Sequence, residues 1–486
     1  MTAGPSDEGA QNLPLAVDLD GTLIRTDMLC ESALARLRAA PLSALRWPFW
    51  LMRGKAYLKR RLSEGVAFDP AVLPYHQPLL DWLRAQRQAG RPLALCTASD
   101  RAVAQAIADH LGLFDEVIAS DGATNLKGQA KADALCARFG PRGFDYAGND
   151  AADFAVWRQA RRAIVVNASA AVLRRARSQL DAQPVFERER AGPRTWARAL
   201  RLQHWVKNVL LFAPLLAAHH WGDGAGWLKA LLGFVAFGLC ASAVYLGNDL
   251  LDLESDRHHL RKRKRPLAAG TLRIPQALLA APLLLAAGAA LAWQVGAGFA
   301  AWLAVYFALT CAYSLRLKRL LLVDCLTLCI LYTLRIVAGS AAARVPISFW
   351  ALTFFGALFL SLALVKRYAE LLAQQAAGRE RAHGRGYLTD DAPVLRSLGI
   401  AAGYMAVVVL ALYLNSDAVR QLYRTPELLT LAVPIVVYWV SWVWLCASRG
   451  RMHDDPLIFA FSDRASLIAG ALFALVMAAG SIGWPW

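Results

Sequence analysis

From about residue 200 to its end, this chain repeats apolar runs of the length that crosses a bilayer. Nine can be read, at roughly 201–218, 228–249, 276–295, 297–314, 320–340, 346–366, 396–414, 427–447 and 465–485. A helix needs about 20 mainly apolar residues to cross a hydrocarbon layer, and in lipid only helices and closed barrels satisfy their own backbone groups. The runs therefore predict an all-α polytopic membrane bundle of nine transmembrane helices. The first run is the weakest, because it contains Lys207 and Asn208. Residues 1–195 differ, mixing charged and apolar residues as a globular domain does. The 57% hydrophobic content over 486 residues is thus an average of two unlike parts.

The formal charge of +17 has a simple distribution. Lys and Arg concentrate in alternate loops, at 257–273, 316–319, 366–396 and 449–464. The other loops hold only Lys229, Arg344, Arg420 and Arg424. By the positive-inside rule the rich loops face the cytoplasm. An integral cell-membrane protein follows, with a cytoplasmic N-terminal domain and an external C-terminus ending Gly483-Trp-Pro-Trp486. Topology and anionic phosphates account for the basic excess, so no nucleic-acid partner is expected. The first twelve residues are polar and the run 13–19 is interrupted by Asp18, which argues against a signal peptide. The eight cysteines are scattered without CxxC spacing and read as packing residues. Oligomeric state is left open.

Asn248-Asp249-Leu-Leu-Asp252-Leu-Glu-Ser-Asp256 closes the second run and leads into a basic stretch, Arg257 to Arg265, followed by Pro266. Charge at a membrane helix end is expensive and usually functional. At about 100° per residue, Asp249, Asp252 and Asp256 fall within about 60° of one another, while Glu254 points elsewhere. Carboxylates converging in this way hold Mg²⁺, and Mg²⁺ holds phosphates, which Lys262 and Arg265 can also grip. The alternative is a helix end merely solvated by charge, but three acids on one face repel without a cation. The motif resembles the first acidic signature of the UbiA superfamily of intramembrane transferases, N-D-x-x-D-x-x-x-D with a basic run ending Arg-Pro. The resemblance covers about 198–486 and implies a Mg²⁺-diphosphate site, with Asn248 beside the acids, in a nine-helix bundle.

Near the N-terminus, Leu15-Ala-Val-Asp18-Leu-Asp20-Gly21-Thr22 is a short apolar strand ending in two alternate acids. At the carboxyl end of a parallel strand, one such acid is forward as nucleophile and the other beside it as acid/base. This resembles motif I of the haloacid dehalogenase (HAD) phosphatases. Three further pieces follow in order: a strand from Pro92 ending at Thr97 and Ser99, a helix opened by Lys127 and Lys131, and Tyr146-Ala-Gly148-Asn149-Asp150-Ala-Ala-Asp153. The resemblance implies an α/β Rossmann-like fold with Asp18 as nucleophile, Asp20 as general acid/base and Thr97 as a phosphoryl-binding group. Lys131, or Lys127, would neutralise the aspartyl-phosphate. Asn149 stands where the family has its first motif IV acid, and Asp150 or Asp153 could supply the missing charge to Mg²⁺. An active phosphatase and a retained scaffold both remain open.

Helical periodicity over about 27–85 predicts a helical cap. Within it, Pro41–Tyr57 combines Trp47, Phe49, Trp50, Leu51 and Met52 with Arg46, Arg53 and Lys55. It reads equally as an interfacial anchor or as packing inside the cap. The expected domains are 1–180, a linker at 181–198, and the membrane part at 199–486.

Other polar residues sit where lipid would reject them: Arg201, Trp205, Lys207 and Asn208; Tyr313, Ser314, Lys318 and Asp324; Arg335; and Lys366, Arg367, Tyr368 and Glu370. The topology puts all of them toward the cytoplasmic end. Single Lys or Arg residues commonly snorkel, but Asp324 and Arg335 lie inside an apolar run, where pairing with each other or with ligand is expected. A prenyl-diphosphate-using UbiA enzyme has a second D-x-x-x-D here, of which only Asp324 remains. With Trp205-Val-Lys207-Asn208, Lys262 to Gly270, Tyr313 to Lys318, Arg335 to Gly339 and Lys366 to Glu370, the pattern looks like the decaprenyl-phosphate 5-phosphoribosyltransferase branch. That implies phosphoribosyl pyrophosphate as Mg²⁺-bound donor and a polyprenyl phosphate lipid as acceptor, with the HAD domain suited to removing the product's 5-phosphate. Two other readings stand beside it: prenyl transfer from a lipid diphosphate with a non-catalytic HAD domain, and a non-catalytic membrane scaffold, against which the retained acids argue.

Overall fold

The computed structural model describes residues 13–65, 68–180, 182–189, 191–379, 385–452 and 455–482. The C-terminal residues 483–486, expected outside the cell, lie outside this set, as do residues 1–12. The chain forms two compact units, Met1–Leu200 with Tyr245–Ala280, and Arg201–Val244 with Ala281–Trp486. The loop after the first long membrane helix therefore groups with the N-terminal unit rather than with the bundle.

The N-terminal unit is built on a six-stranded parallel sheet of order β3-β2-β1-β4-β5-β6. Its strands are β1 (Leu15–Val17), β2 (Leu93–Asp100), β3 (Glu116–Ser120), β4 (Asp145–Gly148), β5 (Ala163–Val166) and β6 (Ala182–Phe186). β1, β4 and β5 are buried along their whole length, as continuous apolar strands covered on both faces are. β6 comes from the segment expected as linker. It aligns Val185 and Phe186 with Val165 and Val166 of β5. Order reverses on either side of β1, so the crevice beyond its carboxyl end is the topological switch point where ligands bind in open α/β sheets.

The cap between β1 and β2 is helical, as periodicity predicts. It contains α1 (Met28–Ala39), a 3₁₀ turn Pro41–Arg46, α2 (Trp47–Met52) and α3 (Lys55–Ser63), and α4 (Gln77–Gln88) returns the chain to the sheet. Asp27 caps α1, its carboxylate accepting from the Leu29 and Cys30 amides. Of the aromatic stretch in the cap, Trp50 is buried while Phe49 and Met52 are exposed. A sixth helix of the sheet layer, after α5 (Arg101–Leu111), is α6 (Gln129–Phe139).

In the second unit and its connections, eight helices among the described residues are long and apolar enough to cross a membrane. They are Gly224–Leu251, Ile274–Val295, Ala297–Leu315, Val323–Ala343, Phe349–Ala376, Thr389–Leu414, Pro426–Ser448 and Arg464–Ile482. The ninth expected run, 201–218, is not a spanning α-helix. Arg201 is left-handed at φ 52°, Leu202–Phe212 is 3₁₀, and only Ala213–Ala217 is α-helical. Polar Lys207 and Asn208 are buried in it, and each bonds to another segment. The segment still runs antiparallel along Gly224–Leu251. Trp205 donates to Ser242 at 3.0 Å, Asn208 to the Phe234 carbonyl at 3.3 Å, and Leu215 lies against Gly226.

Small residues bring the later helices close, as they do in lipid. Gly399 lies against Trp444 and Leu364, and Gly403 against Val440 and Ser361. Ser361 donates to the Gly399 carbonyl at 2.7 Å and accepts from the Trp444 indole at 3.1 Å. This satisfies polar atoms that hydrocarbon would not.

Candidate functional site

At the carboxyl end of β1, Asp18 and Asp20 emerge in adjacent positions on the same side of the chain. Lys131 of α6 donates to Asp18 Oδ1 at 2.6 Å, and Thr22 donates to Oδ2 at 3.3 Å. Asp20 Oδ1 accepts the Met28 amide at 2.7 Å, and Oδ2 accepts from Ser99 at 2.6 Å and Thr97 at 3.5 Å. Thr97 and Ser99 are supplied by the end of β2, the neighbour of β1. Four sequence-selected residues, Asp18, Asp20, Thr97 and Lys131, thus meet in one crevice. Lys127 makes a backbone bond to Asn125 before α6 begins, and it is Lys131 that reaches Asp18. Burial pushes the Asp18 carboxyl up to about 7 against the pull of Lys131, and burial also raises Asp20.

Motif IV is turned differently from the expectation. Asp153 Oδ1 accepts from the Tyr146 hydroxyl at 2.9 Å, and Oδ2 accepts the Asn149 and Asp150 amides at 2.8 and 2.9 Å. Its carboxylate therefore holds the loop, and Tyr146 in turn accepts from Lys131 at 2.9 Å. Asp150 is exposed and caps the Ala151 amide. Asp153 also lies 4.0 Å from Lys131 and so brings its charge to the lysine that holds Asp18, whereas Asp150 stays at the surface. Asn149 is the motif IV side chain nearest motif I, lying against Gly21 at φ 74°, where no Cβ would fit.

One residue of this crevice escaped the sequence reading. Lys59 of α3 donates to the Ala98 carbonyl at 2.5 Å and to Asn125 at 3.2 Å, and burial lowers its pKa. It brings a cation from the cap to the end of β2. In sequence it is one of several basic residues on an amphipathic helix, with nothing to distinguish it from Arg60 and Arg61.

The acid motif is the second candidate site. The helix Gly224–Leu251 ends before Asp252, which has φ −95° and ψ 11°, and a new short helix, Leu253–His258, follows. Asp249 and Asp256 are buried and both bind Arg265, at 3.1 and 2.5 Å. Lys262 lies 3.8 Å from Asp256. The Asp252 amide still bonds to the Asn248 carbonyl and the Asp256 amide to the Asp252 carbonyl, both at 2.8 Å, and Asp249 and Asp256 converge on the Arg265 guanidinium between them. Among the described residues no group of three His, Cys, Asp or Glu is placed to hold a metal ion. Asp256 Oδ1 is nevertheless buried without a hydrogen-bond partner. Mg²⁺ commonly uses one or two carboxylates plus substrate phosphates, so this donor set fits a phosphate-bound Mg²⁺ rather than an all-protein cage. In the HAD crevice the fitting donors are Asp18, Asp20 and the Asn149 amide, one charge fewer than the family pattern.

In the bundle, Asp455 is the focus of a cationic cluster. Lys207 and Lys366 reach its Oδ2 at 2.7 and 3.0 Å, and Tyr332 donates at 3.1 Å. Burial would raise Asp455, but Lys207 and Lys366 hold it well below the usual carboxylate range. Two lysines thus share one acid. Among the described residues Arg335 bonds neutral groups: Asn208 at 3.0 Å, the Tyr306 hydroxyl at 2.9 Å and the Leu331 carbonyl at 2.5 Å. Asp455 was also missed in the sequence. Its signal was the second acid of Asp454-Asp455 before Pro456, between two apolar runs.

Asp324 and Arg335 do not pair with each other. Asp324 is fully buried and binds Arg367 at 2.7 Å, Arg385 at 3.5 Å and the Tyr387 hydroxyl at 2.6 Å. Glu370 takes Arg367 and Arg385, the latter at 3.2 Å, and Arg385 also reaches Tyr313 at 3.2 Å. Of the sequence-selected residues, Tyr313, Asp324, Arg367 and Glu370 meet in this balanced network. Lys207, Asn208, Arg335 and Lys366 line the Asp455 cluster. Asn248 and Lys318 each take part in a polar or electrostatic interaction of their own.

The description "UbiA prenyltransferase family" matches residues 209–463, and "haloacid dehalogenase-like hydrolase" matches residues 15–158. "Uncharacterized protein y4nM" of Sinorhizobium fredii is 39% identical over 467 residues, covering 96% of this chain and 90% of that one. Nodulation protein NoeC of Azorhizobium caulinodans is 35% identical over 298 residues, 60% of this chain and 96% of that one. The decaprenyl-phosphate phosphoribosyltransferase of Mycobacterium tuberculosis is 33% identical over 294 residues, 59% of this chain and 94% of that one. The chain belongs to the UbiA prenyltransferase family, as a multi-pass membrane protein fused to an N-terminal haloacid dehalogenase-like hydrolase domain.

Proposed function

We propose that the membrane domain transfers 5-phosphoribosyl from phosphoribosyl pyrophosphate to a polyprenyl phosphate, and that the HAD domain then removes the 5-phosphate. The observation that carries the first half is the cationic surplus around Asp455. Lys207 and Lys366 share one carboxylate, and Arg335 binds neutral groups. Such a surplus suits a ligand with more phosphate than a Mg²⁺ ion neutralises. Similarity to the mycobacterial phosphoribosyltransferase over nearly all of that protein supports the same donor.

Asp249, Asp252 and Asp256 would hold Mg²⁺, which when bound neutralises the departing diphosphate. Arg265 and Lys262 offer further charge to the same group. A lipid phosphate oxygen forms a bond to the anomeric carbon as the carbon–oxygen bond to diphosphate breaks. No side-chain nucleophile is needed. In the HAD crevice, Asp18 would attack phosphorus, Asp20 would protonate the departing ribose oxygen and then activate water, and Lys131 would balance the aspartyl-phosphate.

The reading also includes a ninth crossing by residues 202–217, giving a cytoplasmic N-terminus and an external C-terminus in the cell membrane. A 3₁₀ segment rises about 2.0 Å per residue, so Leu202–Phe212 followed by Ala213–Ala217 extends roughly 30 Å, about the hydrocarbon thickness. Its antiparallel course along Gly224–Leu251 supports this. Substituting Asp249 or Asp252 with Ala and assaying transfer in detergent tests the acid motif. Wild-type turnover in either variant removes it from the mechanism.

A further inference from the structure

The cap carries an apolar ridge that nothing in its own unit covers. Leu42, Leu45, Phe49 and Met52 are 80%, 73%, 67% and 83% exposed. They follow one another at helical spacing along the 3₁₀ turn Pro41–Arg46 and α2, so they share one side. The segment is otherwise well seated. Trp50 is buried beneath it and Arg61 stacks 5.5 Å from the Trp50 ring. The ridge is therefore the outward face of a packed element. Soluble proteins seldom expose contiguous apolar patches of this kind without a partner.

Two observations identify the partner. Arg46, Arg53 and Lys55 flank the ridge with positive charge, and Arg53 lies over the Tyr57 ring at 5.5 Å. Apolar residues bordered by Lys, Arg and Tyr are what an anionic lipid surface receives. Then α1, the helix leading directly into the ridge, is tied at Glu31 to Arg257, just beyond the end of the membrane helix Gly224–Leu251. α1 is 12 residues long, about 18 Å, so the ridge begins within about that distance of the Glu31–Arg257 tie.

We propose that Leu42, Leu45, Phe49 and Met52 enter the headgroup–acyl boundary of the bilayer, with Arg46, Arg53 and Lys55 on anionic headgroups. The cap then rests on lipid, and the HAD crevice is held beside the surface from which a lipid-linked phosphate emerges. The contact rests on the membrane-spanning nature of the chain and not on which phosphate is transferred.

The test uses the full-length protein in nanodiscs of phosphatidylcholine with phosphatidylglycerol, doped with a lipid carrying a diazirine in its acyl chain. After illumination, lipid adducts are mapped by mass spectrometry. The expected result is several-fold more adduct in residues 41–53 than in the exposed helix α4, falling when phosphatidylglycerol is omitted. Leu45→Glu combined with Phe49→Glu should bring 41–53 down to the α4 level while labelling of 276–295 is unchanged. If 41–53 labels no more than α4 while 276–295 labels strongly, the ridge is covered by protein, from this chain or a second copy, and the proposal fails.

Discussion

Arg257 donates to Glu31 through both arms of its guanidinium, at 3.1 and 2.7 Å. Arg257 lies in the loop that carries the acid motif, and Glu31 lies in the first turn of the HAD cap. The same turn supplies the Met28 amide to Asp20. One helix start therefore touches both the crevice around Asp18 and Asp20 and the segment of the acid motif. Arg257 also donates to the Ala268 carbonyl at 3.1 Å, which fixes that loop on itself.

Glu31→Ala should loosen this arrangement. Arg257 is buried, and removing one member of a buried pair leaves an uncompensated charge at a cost of about 3–5 kcal/mol. The check is limited proteolysis and thermal unfolding of the purified chain, with earlier cleavage in residues 252–273 expected. Unchanged protection there would mean the pair is dispensable.

Asp455→Ala should abolish lipid product. It leaves Lys207 and Lys366 facing each other without their shared carboxylate, which destabilises the site by about 3 kcal/mol. Asp455→Asn combined with Lys366→Met should recover part of the loss by removing the surplus charge. No recovery, with the fold intact, would give Asp455 a role beyond pairing.

Asp18→Asn should separate the two activities. Transfer needs nothing from the HAD crevice, so the variant should accumulate the 5-phosphorylated lipid at the wild-type rate of transfer. Chromatography of the lipid product reads this directly. If wild type accumulates the same phosphorylated lipid under saturating Mg²⁺, the domain is a scaffold.

Much of this was legible in the sequence because the signals were local. The strand Leu15–Val17 followed by Asp18 and Asp20 fixes a parallel-sheet crevice, and Thr97 and Lys131 follow in family order and meet there. The apolar runs gave the bundle because lipid permits few alternatives. What stayed hidden depended on distance in the chain. Asp455 matters through Lys207, 248 residues away, and no spacing rule links them. Asp324 and Arg335 were expected to pair with each other or with ligand, and Asp324 instead pairs with Arg367 from the next helix. Residues 201–218 read as the weakest of the spans because of Lys207 and Asn208, but hydropathy does not separate α from 3₁₀ geometry. The turn at Asp252 was invisible for the same reason.

The central claim concerns what is transferred and to what. The direct measurement is incubation of the purified full-length protein with labelled phosphoribosyl pyrophosphate and a short polyprenyl phosphate, with Mg²⁺ and with EDTA. The account predicts a labelled lipid that forms with Mg²⁺ and is lost with EDTA. Transfer of a prenyl group from polyprenyl diphosphate to an aromatic acceptor, with no label passing from phosphoribosyl pyrophosphate to lipid, would contradict it.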